Sequence, residues 1–171
     1  MSEGHYGVSM LNDCKYGHSA LDGVMTLTLI KSGIEPNPTA DQEEHTFTYA
    51  LYPHAEGWRQ AKTVQEAMKL NQPALSAEGG CAGDETSFVW IDKQNVIIET
   101  VKEAEDGDGV IIRLYESENA RTKAHISFEK PVASVESCDC VEKTKETVCV
   151  AGDGFDITIK PYEIQTYRVR F

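Results

Sequence analysis

Apolar and polar residues alternate with period two along most of the chain, the pattern of strands with one buried face. In residues 24–30, VMTLTLI, one face carries Met25, Leu27 and Leu29. In residues 45–52, HTFTYALY, one face carries Phe47, Tyr49 and Leu51, with Thr46 and Thr48 opposite. Residues 95–101, NVIIETV, and 109–116, GVIIRLYE, flank KEAEDGDG. The Asp106-Gly107 and Asp108-Gly109 pairs there predict a hairpin turn, because Gly accepts the positive φ such turns need. KAHISF, VASVES, TVCVA, FDITI and EIQTYRVRF follow at short intervals. That spacing predicts an all-β, antiparallel sandwich. One stretch departs from it. In GWRQAKTVQEAMKLN the residues Trp58, Ala61, Val64, Met68 and Asn71 recur three or four apart, which predicts a short helix near residues 58–71, ended by Pro73.

Two loops interrupt the strands. Residues 32–44 are held open by Pro36 and Pro38, and residues 76–86, SAEGGCAGDET, are Gly-rich but lack the Lys-Ser/Thr ending of a phosphate loop. No repeat or linker divides the chain, so a single domain over residues 1–171 is expected. The 171 residues are 40% apolar and 26% charged, enough to bury a core and unlike a disordered segment. No apolar run approaches the ~18 residues of a membrane helix. The start, MSEGHYGVS, lacks the basic and apolar regions of a secretory signal, so a cytoplasmic location is expected. A net charge of −12 argues against nucleic acid as a partner and leaves a neutral ligand such as a sugar open.

The candidate chemistry is sparse. Five cysteines, an odd number, point to reduced thiols. Cys138 and Cys140 would share a strand face, but no second Cys or His pair lies at zinc spacing, so no metal site is expected. The acids near loops, Asp13, Asp41, Glu43 and Glu44, fall in no spacing that faces two carboxylates across one bond. There is no G-x-S-x-G elbow; Lys15 would lower the Cys14 thiol pKa, yet no histidine partner can be assigned. His45 and His54 bracket the HTFTYALY strand and, with Asp41, read as loop anchors. His5, His18 and His125 gain no role from spacing. Trp58, Trp90 and Tyr52 read as core residues before sugar-stacking ones. Spacing alone leaves no catalytic set.

GVSMLNDCKYGHSALDGVMTLTLIKS, followed by PNPTADQEEHTFTYALYPH, resembles the C-terminal region of glycoside hydrolase family 38 α-mannosidases, cytosolic and bacterial branch. NVIIETVKEAEDGDGVIIRLYE and the ending KPYEIQTYRVRF are similar to the same family, in the same order. Glu43 departs from it where the family has Gly, so a different loop backbone is expected there. The resemblance implies a supersandwich-like β-domain that begins upstream of these residues, so the chain reads as a C-terminal fragment of a larger enzyme. That parent would be a retaining, zinc-dependent glycosidase hydrolysing α-mannosides through a covalent glycosyl-enzyme intermediate. Its zinc and carboxylates would lie in an N-terminal catalytic domain, the partner of this one; no cofactor is expected within the fragment. The resemblance also implies that loop 12–17 faces that domain and helps frame its cleft. Asp13, Lys15 and Tyr16 would contact the catalytic domain or the residues behind its pocket, with Asn12 and Gly17 shaping the turn. The fragment alone is expected to be inactive and to self-associate through exposed strand edges. The rival readings are a free-standing carbohydrate-binding module and a small enzyme using Cys14 or a His/Asp pair.

Overall fold

The computed structural model describes residues 1–79 and 86–171; the middle of the Gly-rich loop, with Cys81, lies outside them. The chain divides into two units, residues 1–79 and 80–171. In the first, strand β1 (Tyr6–Asn12) pairs antiparallel with β4 (Tyr49–Ala55), from Tyr6 opposite Ala55 to Asn12 opposite Tyr49. The pattern predicts a strand over 45–52; the ladder instead starts at Tyr49. The cause is a side chain: Asp13 Oδ2 accepts the Thr48 N–H at 2.9 Å, the bond a strand partner's carbonyl would have taken. A hairpin the pattern does not predict, β2 (His18–Leu21) and β3 (Val24–Leu27), turns through Asp22 and Gly23, both at positive φ. β3 stops at Leu27 and does not reach residue 30; past the ladder the Thr28 N–H still bonds the Gly17 carbonyl at 2.8 Å.

The helix is present but shorter than its apolar spacing predicts. Helix α1 spans Thr63–Asn71. Residues 57–62 form tight turns, with the Ala61 N–H on the Gly57 carbonyl and the Thr63 N–H on that of Trp58. Lys62 has φ 54, a left-handed conformation through which a right-handed helix cannot run. At the far end the Asn71 amide donates to the Ala67 and Asn12 carbonyls, fastening the helix to the end of β1. The alternation of β1 follows from this: Gly7, Ser9 and Leu11 are buried, while Tyr6, Val8 and Met10 face outward.

The second unit is a β-sandwich. One sheet has the order β10-β9-β13-β7-β6, the other β11-β12-β8-β5. These strands are β5 (Val89–Ile91), β6 (Val96–Glu103), β7 (Val110–Glu116), β8 (Thr122–Phe128), β9 (Ser134–Cys138), β10 (Thr144–Val148), β11 (Val150–Ala151), β12 (Gly154–Ile159) and β13 (Ile164–Arg170). All pairings are antiparallel, and the C-terminal strand lies in mid-sheet between β9 and β7. The core between the sheets includes Val96, Ile112, Leu114, Ile126, Phe128, Val135, Phe155, Tyr167 and Val169. Burial pushes the Tyr167 phenol up to about 12.

The predicted β6–β7 hairpin forms, with Gly107 and Gly109 at positive φ. A Cβ on Gly109 would stand 2.7 Å from the Val169 carbonyl oxygen, so the turn lies flat on β13. Ion pairs hold it there: Arg168 donates to Asp106 at 2.7 Å, and Arg170 to Asp108 at 2.9 Å and Glu136 at 2.9 Å. These partners keep the Asp106 and Asp108 carboxyls below their usual range. β9 ends at Cys138, which is buried, and Cys140 lies exposed in the following turn, so the two do not share a strand face.

Candidate functional site

The loop after β1 is built from its own side chains. Asn12 Oδ1 accepts the Lys15 N–H at 2.5 Å, and the Asn12 amide lies 3.3 Å from the His18 imidazole. Gly17 accepts the Thr28 N–H at 2.8 Å, and a Cβ there would stand 2.9 Å from Thr28 Cβ. Asn12 and Gly17 therefore close the loop at its two ends. Asp13 stays exposed but is tied to Thr48, its Oδ2 accepting the Thr48 N–H and its own N–H donating to the Thr48 carbonyl. The Cys14 thiol and then the Thr48 N–H hold its carboxyl below the usual range. The same contact raises the Cys14 thiol, Asp13 outweighing Lys15. That reverses the effect expected from Lys15.

Lys15 is half-buried, its ammonium 4.6 Å from the centre of the Phe47 ring, a cation–π contact. Tyr16 is different: it is 94% exposed. The loop thus has a fixed base and one unsupported aromatic at its tip. Thr48, Phe47 and Asn71, which hold that base, were not legible as partners. Their signal lies in the register of β4 on β1, which local patterning does not encode.

The three loop anchors do not form one group. The His45 ring lies 2.9 Å from the Asp41 carbonyl oxygen, so these two brace one loop. Asp41 is also the left-handed residue of that loop, at φ 57, whereas Glu43 has no positive φ. His54 is a strand residue of β4, buried, with its Nε2 3.0 Å from Ser9 Oγ. Ser9 Oγ lies 2.9 Å from Thr63 Oγ1, so the three link β1, β4 and α1. The ring packs on Gly7, where a Cβ would come within 3.0 Å of Nδ1. Ser9 and His54 make a nucleophile–base contact without an orienting acid and without access, a structural pairing. Tyr52 is tied through its hydroxyl to the Ala61 carbonyl, and the Trp58 ring is covered by Arg59. Trp90 is exposed on the outer face of its sheet.

Comparison with known proteins yields a consistent set. The profile of the glycosyl hydrolases family 38 C-terminal beta sandwich domain matches residues 95–167. That of the glycosyl hydrolases family 38 C-terminal domain matches residues 1–39. Alpha-mannosidase G of Dictyostelium discoideum is 32% identical over 98% of this chain and 16% of its own length. Human alpha-mannosidase 2C1 is 30% identical over 96% of this chain and 16% of its own. The alpha-mannosidase of Saccharomyces cerevisiae is 30% identical over 99% of this chain and 18% of its own. The chain thus spans under a fifth of the length of these relatives. A crystal structure of a family 38 glycosyl hydrolase from Enterococcus faecalis shares the fold, with TM-score 0.71 at 20% identity over 98% of this chain and 21% of that one.

Proposed function

The chain belongs to the C-terminal region of glycoside hydrolase family 38, and on that premise we propose that it is the non-catalytic β-sandwich module of a longer α-mannosidase. The observation that carries this is the similarity, over nearly the whole chain, to proteins named as α-mannosidases. The parent would be a retaining, cytoplasmic enzyme, and the partner of this module its N-terminal catalytic domain. Among the described residues no helix is long and apolar enough to cross a membrane. Among the described residues no group of three or more His, Cys, Asp or Glu side chains is placed to hold a metal ion, so these residues do not fit the family's zinc. Its ligands belong to the parent's other domain, and no chemical step is assigned to side chains here. The comparisons lend nothing to a free-standing binding module.

Loop 12–17 is the part of the module that meets the catalytic domain in this proposal. Its held base and bare Tyr16 suit it to that contact, because a preorganised loop loses little entropy on docking. The test is hydrolysis of an aryl α-mannoside by the full-length parent and by this chain. The parent is expected to turn over and the chain to give no rate above buffer. Activity in the chain would sink the non-catalytic assignment; an inactive, folded parent would sink the mannosidase one. In the parent, Tyr16→Ala and Lys15→Ala are expected to lower kcat/KM about threefold to tenfold, 0.6–1.4 kcal/mol. Unchanged turnover and unchanged stability in both variants would remove the loop from the interface.

The isolated chain is expected to self-associate. Tyr6, Tyr49 and Leu51 are exposed, and with Met10 and Met25 they border apolar grooves, the larger about 450 Å³. Among the described residues β4 pairs only with β1, so its other edge is open. Sedimentation should show mass rising with concentration, and Leu51→Lys should return the chain to a monomer. A strict monomer at high concentration would refute this.

A further inference from the structure

The outer face of the four-stranded sheet carries a second arrangement, apart in sequence from loop 12–17. Alternation turns Ala124, Ile126, Phe128, Phe155, Ile157 and Ile159 into the core. It leaves Lys123, His125 and Ser127 of β8, and Asp156 and Thr158 of β12, outside. The register sets them in rows: Trp90, Ser127 and Gly154 in one, His125 and Asp156 in the next, Lys123 and Thr158 in the third. Asp92 extends the second row. Its backbone N–H meets the His125 carbonyl, and its Oδ1 accepts the His125 N–H at 2.7 Å. The His125 ring is held, with Nδ1 2.8 Å from Asp156 Oδ1. A Cβ on Gly154 would stand 2.8 Å from His125 Nε2 and closer still to the Ile126 carbonyl, so this row is kept low beside Trp90.

We infer that this face binds a neutral oligosaccharide, one pyranose ring lying on Trp90 beside Ser127 and a following unit reaching the next rows, where its hydroxyls meet Asp156, Lys123 and Thr158. Four features carry the inference. Trp90 is 45% exposed on a sheet face, between two residues that turn toward the core, and no other ring among the described residues packs on it. A broad apolar ring face of this kind suits the C–H face of a sugar. Beginning one row along from Trp90, which does not line it, Asp92, Lys123, His125, Asp156 and Thr158 form a depression of about 460 Å³, within the size range of small-ligand sites. Among the described residues Lys123, Ser127 and Thr158 have no side-chain hydrogen-bond partner, which leaves donors and acceptors for vicinal hydroxyls. The charges are mixed: Asp92 is paired with Lys93 at 2.8 Å, His125 Nδ1 lies 2.8 Å from Asp156 Oδ1, and Lys123 stands on the same face. A mixed set favours an uncharged polyol over a metal ion or an anion.

The chain has two tryptophans, Trp58 and Trp90, so two indole N–H resonances report the two units separately. A Trp58→Phe variant assigns them. The 171-residue chain is titrated with methyl α-D-mannopyranoside, α-mannobiose, maltotriose and a galactobiose. The expected result is a saturable shift of the Trp90 indole and the Ser127 and His125 amides, with Trp58 unmoved. Trp90→Ala and Asp156→Ala are each expected to weaken binding at least about tenfold while leaving the remaining amide spectrum in place. No shift of Trp90 with any of the four at roughly 50 mM would overturn the site, since even a weak millimolar site is then filled. Shifts at Ser127 and His125 that persist unchanged in both variants would also overturn it. Only the choice of mannosides rests on the proposed activity. A response to the glucoside or galactoside alone upholds the site, and a parent without mannosidase activity leaves that reading intact.

Discussion

Phe155→Ala is expected to destabilise the second unit by about 3–5 kcal/mol, the largest single-site loss in the chain. Phe155 has no exposed surface and lies on β12, in the sheet opposite Tyr167. Its ring centre is 5.0 Å from that of Tyr167 and 6.3 Å from that of Phe128, so it joins the two sheets. Removing it costs the transfer of an aromatic ring and leaves a void that neither sheet can close, because each is braced by its own ladder. Urea denaturation of the chain, followed by a probe in this unit, measures the loss. A change below about 1 kcal/mol would mean that the sheets collapse onto one another, and that the packing is looser than described.

Glu116→Leu is the second large effect, expected at about 3 kcal/mol or more. The carboxylate is 1% exposed at the end of β7. It accepts hydrogen bonds from Asn95 Nδ2 at 2.8 Å, the Glu118 N–H at 2.8 Å and the Tyr162 N–H at 3.0 Å. Leucine fills the volume but takes the acceptor from the Glu118 and Tyr162 N–H groups and leaves the Asn95 amide with Thr122 Oγ1 alone of its two acceptors. Burial by itself would push the carboxyl up, but the N–H groups of Tyr162, Asn95, Glu118 and Ala120 outweigh it and hold it below the usual glutamate value. The sign follows: the folded state prefers the ionised form. Its contribution is complete above the unfolded value, near 4.5, and is lost as pH falls through the lower folded value. Thermal unfolding should therefore show Tm dropping below about pH 4.5, and Glu116→Gln should flatten part of that drop. An unchanged acid limb in Glu116→Gln would assign acid sensitivity to other carboxylates.

Much of the second unit was legible before any coordinates. The Asp-Gly pairs announce the β6–β7 turn, and the alternation in FDITI announces β12, because a strand buried on one face writes its period into the chain; EIQTYRVRF also reads as a strand, though β13 buries Thr166 to Val169 on both faces. The misjudged elements share a cause. Asp13 ends the β1–β4 ladder with its side chain, Lys62 delays the helix with a left-handed turn, and β2 is too short and polar to carry a period. Each is a local bond or torsion that overrides pattern. The candidate loop was legible as unusual but not in its division of labour. Nothing in NDCKYG tells that Asp13 is committed to the Thr48 N–H while Tyr16 stands free.

By itself the sequence determined the all-β class, the β6–β7 hairpin, a helix in the right neighbourhood and the family. These rest on local periodicity, turn chemistry and motif order, all readable over a few residues. Only the tertiary structure decided which polar groups are committed. Glu116 in YESEN reads as one acid in a charged run until Tyr162 closes over it from 46 positions away. Arg168 reaches Asp106 across 62 positions, and Ser9 reaches His54 across 45. Trp90, an apparent core residue, faces outward because its neighbours Val89 and Ile91 take the inner positions. A side chain's burial and partners are properties of pairings between distant segments, and those pairings are set by the competition of all strands for one core.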